Sequence, residues 1–254
     1  MSETFSPQQA VSIATHDTAS AIAHALDVGR IQAITIDLDD TLWPVWPTIT
    51  RAEEALAEWL KENAPATARA FPDSRSLRGI RMKVEAERPE LLHDLSAMRR
   101  ESIREALRQS GDDPALAEPA FDLFFEHRQR VVLFDDALQT LEFLAGRYPV
   151  VALSNGNADI RRVGIDRYFK AAFSAREFGV GKPDVRIFHA AARAAGHACE
   201  ATLHVGDDAA LDVQGALGAG MQTAWLNMEG KPWELPVRPH ATLNTLSALC
   251  GILR

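Results

Sequence analysis

The feature that most constrains this chain is a short apolar run, residues 31–36 (IQAITI), that stops abruptly on Asp37-Leu38-Asp39-Asp40-Thr41. A brief segment rich in branched apolar residues, with no polar alternation, is a strand buried on both faces, and such strands belong to parallel sheets covered by helices. The pattern returns at residues 149–154 (PVVALS) before Asn155 and Gly156, and at 202–205 before Gly206 and Asp207, with a weaker strand at 223–226. Helical spacing between these runs, as at 137–144 and 185–195, predicts an α/β fold with a parallel sheet and right-handed crossovers. Ligands of such sheets sit beyond the carboxyl ends of the strands. Three strand ends, carrying Asp37, Ser154 and Asp207, therefore point to one site.

Residues 46–132 break the pattern. Apolar residues recur at helical spacing at Ala52, Leu56, Trp59 and Leu60, then at Leu95, Met98, Ser102 and Ile103, then at Phe121, Phe124 and Phe125, with no convincing strand. The expectation is a core domain formed by residues 1–45 and 133–254, with a helical domain, 46–132, inserted after the first strand and packed over its end. Residues 1–28 are polar and alanine-rich, with an amphipathic helix expected through Ala19, Ile22 and Leu26 and nothing that suggests chemistry.

Composition removes several function classes. The 27 Lys plus Arg against 35 Asp plus Glu leave a net charge of −8, which disfavours nucleic acid but not a small phosphorylated metabolite. No stretch approaches the ~20 apolar residues of a membrane span, and no basic segment precedes an apolar run at the N-terminus, so a cytoplasmic protein is expected, with no membrane partner. Cys199 and Cys250 lack CxxC spacing and read as reduced thiols. No segment implies a partner protein.

Two carboxylates two residues apart, just past a buried strand, can be aimed differently, Asp37 at an electrophile and Asp39 at a leaving group. A phosphoryl group brings negative charge towards a carboxylate, so the attack needs a cation and fixed donors. Asp207 adds a hard oxygen ligand of the kind magnesium prefers. Lys182, in the turn Gly181-Lys182-Pro183, supplies fixed positive charge, and Ser154 and Asn155 can donate to phosphoryl oxygens. Ser154 can equally cap the following helix. Asp212 can reach metal through water, orient Lys182, or cap the helix near Val213. Thr41 and Asp208 complete the supporting shell.

The motifs DLDDTL (37–42), LSNG (153–156), GKP (181–183) and HVGDDAALDVQGALGAGM (204–221) resemble, in order, the four motifs of the haloacid dehalogenase superfamily. The resemblance spans residues 31–44 and about 133–228, and the helical insertion sits where that superfamily places its type-one cap. It implies a Rossmann-like core, an aspartyl-phosphate on Asp37, and magnesium held by Asp37, Asp207 and the backbone carbonyl of Asp39. It also implies that Asp39 protonates the leaving oxygen and then activates water. The superfamily's dehalogenases lack the second aspartate of the first motif, because a halide leaves without a proton whereas an alkoxide needs one. Asp39 thus favours phosphate ester hydrolysis. Phosphonate cleavage, which uses a cap lysine, finds only Lys61 and Lys83, neither in a fitting context.

Within the insertion, PELLHDLSAMRRESI (89–103) is similar to bacterial phosphatases acting on flavin mononucleotide and on the phosphorylated ribitylamino-uracil precursor of riboflavin. His93, Asp94 and Arg99 are candidates for reading the substrate there. A salt-bridged, solvated helix face is the alternative, given Arg75, Arg78, Arg81, Arg100 and Arg104 nearby. Trp43 and Trp46 can stack on an aromatic ring or pack the hinge between core and insertion. His204, inside an apolar strand, reads as a satisfied core histidine. The rival functions are a phosphomutase or phosphotransferase using the same residues, and a binding protein that has lost turnover.

Overall fold

The computed structural model describes residues 25–254, and the helix expected through Ala19 and Ile22 lies outside them. Six strands, β1 (Ala33–Ile36), β2 (Val150–Ser154), β3 (Ala171–Ser174), β4 (Thr202–Gly206), β5 (Gln222–Leu226) and β6 (Ala241–Leu243), form one sheet in the order β3-β2-β1-β4-β5-β6. Every pair is parallel. β1, β2, β4 and β5 are buried along their whole length, as their mostly apolar character leads one to expect, with polar members such as Thr35 and His204 paired to each other. β3 and β6, which the sequence pattern does not announce, are short edge strands with alanine in place of branched residues.

Between β1 and β2, before a sixth helix that packs on the sheet, the chain forms five helices: α1 (Val45–Asn63), α2 (Pro65–Ala70), α3 (Ser74–Glu87), α4 (Leu95–Ser110) and α5 (Ala117–Arg128). They enclose an apolar core of their own, in which Leu56, Leu60, Ile103, Leu107, Phe121 and Phe124 are almost fully buried. Each such side chain contributes roughly 1.5–3 kcal/mol through its removal from water. The side chain of Asp94 caps α4 by accepting from the Ser96 and Ala97 amides, and Gly111 ends it in the left-handed conformation, φ 83°.

The sheet's two faces follow from strand alternation. Ile34, Ile36, Val150, Ala152, Leu203 and Val205 meet Leu141 and Leu144 of α6 (Ala137–Ala145). Ala33, Val151 and Leu153 meet Ile187, Phe188 and Ala191 of α7 (Val185–Ala195). The chain winds outward from β1 to β3 and then returns to β4, so the order reverses between β1 and β4. Ile36 pairs with Val205, which brings the residues after these two strands side by side at the switch point. Among the described residues no helix is long and apolar enough to cross a membrane.

Candidate active site

Asp37 leaves β1 and Asp207 leaves β4 at adjacent positions, and the Asp37 amide donates to the Val205 carbonyl at 2.9 Å. Asp212 joins them from a π-helical turn, Ala209–Gln214, that follows β4 directly. Oxygens of the three carboxylates lie within 4.8 Å of one another. Into this cluster projects Lys182, whose Nζ donates to Asp37 Oδ1 at 2.5 Å and to Asp212 Oδ1 at 2.6 Å. Asn155 fixes the lysine's backbone, accepting from its N–H at 2.7 Å and donating to its carbonyl at 2.8 Å.

Asp212 is fully committed. Besides Lys182, its Oδ1 meets His204 Nε2 at 3.1 Å, and its Oδ2 accepts from the Asp208 amide at 3.0 Å. The other ring nitrogen of His204 meets Thr35 Oγ1 at 2.8 Å, so this histidine is a satisfied core residue. Gly206 lets the carboxylate approach so closely, since a Cβ there would lie 2.3 Å from Asp212 Cγ. Asp207 is oriented by Thr41 Oγ1, which donates to its Oδ1 at 3.3 Å, and by Trp225 Nε1, which donates to its carbonyl at 2.7 Å.

The electrostatics are unbalanced. Three carboxylates face one ammonium group, all largely removed from water. Burial pushes Asp37 well above the usual carboxylate range, with Lys182 opposing it and Asp212 and Asp207 adding to it. Burial, then the charge of Asp212, pushes Asp207 up to about 7. Burial works against the charge of Lys182, but Asp212 and Asp37 outweigh it and raise its pKa. For Asp212, burial is overridden by Lys182 and His204, which hold it below the usual range. The cluster is thus short of about two positive charges, and its donors are hard oxygens, the set that suits a magnesium-like dication.

Asp39, two residues from Asp37, turns elsewhere. Its Oδ1 accepts from Trp43 Nε1 at 2.8 Å, and both its oxygens accept from Arg128 Nη2 at 2.7 Å. Ser154, buried at the end of β2, accepts from the Gly156 amide at 2.9 Å. A Cβ on Gly156 would lie 2.2 Å from Asp39 Oδ2 and 3.1 Å from Ser154 Oγ, so β2 and the Asp39 carboxylate meet at this glycine. Gly156→Ala is expected to push Asp39 off its two donors and reduce the turnover rate roughly 10- to 100-fold. Steady-state kinetics of that variant, alongside its melting temperature, checks this; a folded variant with unchanged rate contradicts it.

The resemblance names Asp37, Asp207 and the backbone carbonyl of Asp39 as magnesium ligands; the carboxylates of Asp37 and Asp207 lie together, with that of Asp212 beside them. Trp43 is corrected as a substrate-stacking candidate: it is completely buried, with no ring face left for a ligand, and its indole holds Asp39. Arg99 is corrected as well. It is buried inside the insertion, donates to Glu53 Oε1 at 3.1 Å and lies over the Phe124 ring, while burial lowers its pKa to about 10. Asp94 is occupied with capping α4 and pairs with Arg176 at 3.5 Å. The Asp208 side chain is exposed and caps the π-helical turn through the Ala210 and Leu211 amides. His93, by contrast, lines a cleft of about 770 Å³ between residues 89–95 and the 179–184 turn, with Leu92, Leu95, Val180 and Lys182. Trp46 is exposed, with Arg78 over its ring.

Sequence reading missed Arg128, which lies 89 residues from its partner Asp39. An arginine among many at the end of an amphipathic helix carries no local signal. Glu53, the buried partner of Arg99, was hidden for the same reason.

A doubly wound parallel sheet with carboxylates converging past its two switch-point strands, and a lysine clamped between them, places an acidic site where ligands of α/β sheets bind. The family model for haloacid dehalogenase-like hydrolases matches residues 31–220, and the chain belongs to that family. Among curated proteins it is 33% identical to the Escherichia coli 5-amino-6-(5-phospho-D-ribitylamino)uracil phosphatase YigB, over 89% of this chain and 98% of that one. It is also 33% identical to a Thermus thermophilus phosphoserine phosphatase, over 57% of this chain and 60% of the relative. A solved structure described as a 2-haloacid dehalogenase from Pseudomonas syringae pv. Tomato superposes with a TM-score of 0.82 at 39% identity, covering 88% of this chain and 98% of that one.

Proposed function

We propose that this hydrolase cleaves small phosphate monoesters through an aspartyl-phosphate on Asp37, in a magnesium-dependent reaction. The observation that carries the reading is the division of labour between two carboxylates. Asp37 sits in the carboxylate and lysine cluster, while Asp39 stands apart from that cluster on its own donors. An Asp37 oxygen attacks phosphorus, the bond from phosphorus to the ester oxygen breaks, and Asp39 gives its proton to the departing alkoxide. Asp39 then takes a proton from water as that water displaces Asp37 from phosphorus. Lys182 offsets the charge that gathers on the phosphoryl oxygens, and Ser154 and the backbone beyond β2 supply donors. Asp37 and Asp207, supported by Asp212, would hold the magnesium ion, which neutralises phosphoryl charge and steers the phosphoryl group towards Asp37.

Asp39 also argues against halide release, since a halide departs without a proton. The separation of roles therefore favours ester hydrolysis over the chemistry named for the Pseudomonas syringae neighbour. For the substrate, we favour a flavin-pathway ester, either flavin mononucleotide or phosphoribitylamino-uracil. The support is the 89–103 segment and the end-to-end match to YigB. The half-apolar cleft beside His93 would take the organic part of the ester.

Phosphate release from a panel of esters, with and without magnesium, tests both levels. Selective release from the flavin-pathway compounds is expected. Equal release from sugar phosphates and nucleotides would remove the substrate reading and keep the chemistry. Transfer to an added sugar with little free phosphate would replace hydrolysis by phosphotransfer.

A further inference from the structure

The last residue of α5 reaches out of the helical insertion into the catalytic core. Arg128 is 1% exposed, and its Nη2 is 2.7 Å from both oxygens of Asp39. Trp43 Nε1 holds only Oδ1, so the donor on Oδ2 is Arg128 alone among the described residues. Oδ2 is also the oxygen beside Gly156 and Ser154, at the end of β2 where phosphoryl donors gather. Next along the chain, Gln129 ties the same helix end to the 157–159 loop, donating to the Asn157 carbonyl at 3.3 Å and accepting from the Asp159 amide at 2.7 Å. The end of α5 thus grips the acid and base carboxylate and the loop after β2 together. Arg128 Nη1 is buried with no hydrogen-bond partner, so the fold by itself does not saturate this guanidinium.

We infer that Arg128 is a positioning residue for Asp39, contributed by the helical insertion, that aims the carboxylate at the leaving oxygen of the ester. The inference rests on the phosphatase reading. One guanidinium nitrogen bridging both carboxylate oxygens, with an indole on one of them, holds the Asp39 group in position and limits its rotation. General acid transfer depends on that direction, and its weight depends on the leaving group. An alkoxide needs the proton, whereas a nitrophenolate departs without it.

The experiment compares kcat/KM for an alkyl phosphate and for 4-nitrophenyl phosphate in the full-length wild type, Arg128→Met and Arg128→Lys. This parameter reports the step in which the ester bond breaks. Arg128→Met is expected to lose roughly 100-fold on the alkyl ester and less than about 10-fold on the aryl ester, with Arg128→Lys recovering part of the alkyl activity. Asp39→Asn should show the same selectivity for the aryl ester. An equal loss on both esters, or no loss on either, would reduce Arg128 to a packing residue and overturn the inference. Should Arg128→Met fail to fold, Arg128→Lys carries the test, because it keeps the charge and moves the donor that bridges the two Asp39 oxygens; a larger loss on the alkyl ester than on the aryl ester is then expected, and an equal loss overturns the inference. If the wild type releases no phosphate from either ester, the phosphatase reading falls, and the positioning role with it.

Discussion

Asp37→Asn is expected to abolish turnover, by on the order of 10³-fold or more, in a protein at least as stable as the parent. The rate falls because an amide cannot form the covalent intermediate. The stability follows from the environment of Asp37. Burial raises its pKa far above the usual carboxylate range, although Lys182 opposes the shift. A carboxyl group whose pKa is raised by folding binds its proton more tightly in the native state than in the unfolded chain. Ionisation then costs stability at any pH above the ordinary carboxylate range, and the neutral amide removes that cost. Lys182 keeps its contact with Asp212 in the variant. Kinetics with magnesium present, and calorimetry on the metal-free protein, both near neutral pH, check the two halves. Loss of activity together with a much lower melting temperature would mean that Asp37 holds the fold, and unchanged activity would sink the nucleophile assignment.

Withdrawing magnesium with a chelator is expected to stop the reaction and to expose a pH-dependent weakness centred on Asp207. Its ordinary pKa of 3.8 rises to about 7 in the folded protein, through burial first and the charge of Asp212 second. Between those values the folded protein keeps a proton that the unfolded chain has released. The stability tied to this group therefore falls as pH rises from 3.8 to about 7 and stays low above it. A dication that binds the ionised carboxylates competes with that proton, so magnesium stabilises more at about pH 8 than at about pH 5.5. At a hundredfold excess over its Kd, the gain is about 2.7 kcal/mol, roughly 5–10 °C in melting temperature for a chain of this size. Asp207→Asn should remove turnover and reduce the pH dependence of that shift, leaving the part that the raised pKa of Asp37 contributes. An equal magnesium shift at both pH values would contradict the assignment of Asp207.

The two variants probe parts of the site that differ in how they can be read. Asp37 and Asp207 each follow a largely apolar strand that is buried throughout. A strand so buried cannot sit at a surface, and the acidic residue that follows it falls beyond the strand's carboxyl end, where ligands bind. Lys182 and Ser154 are legible on the same grounds, as polar residues beside turns and strand ends. The edge strands β3 and β6 escape this reading because a half-covered strand has no need of branched apolar residues.

Side chains that matter through contacts made far along the chain escape it altogether. Arg128 lies on a helix among many arginines, and the Asp39 it grips was read as an acid and base without its donors. Trp43, four residues from Asp39, suggested stacking on a ligand until the fold buried its ring and turned its N–H towards the carboxylate. Arg99 resembled a substrate-reading arginine until Glu53, 46 residues away, proved to be its partner.

Local apolar patterning and the order of the four motifs therefore determined the parallel sheet, the helical insertion and the carboxylates at the switch point, because these depend on neighbours in sequence. Which charge neutralises which, and which arginine is buried, was decided by the packing of α4 and α5 against α1 and the core. Those pairings depend on distances between segments that no local pattern encodes.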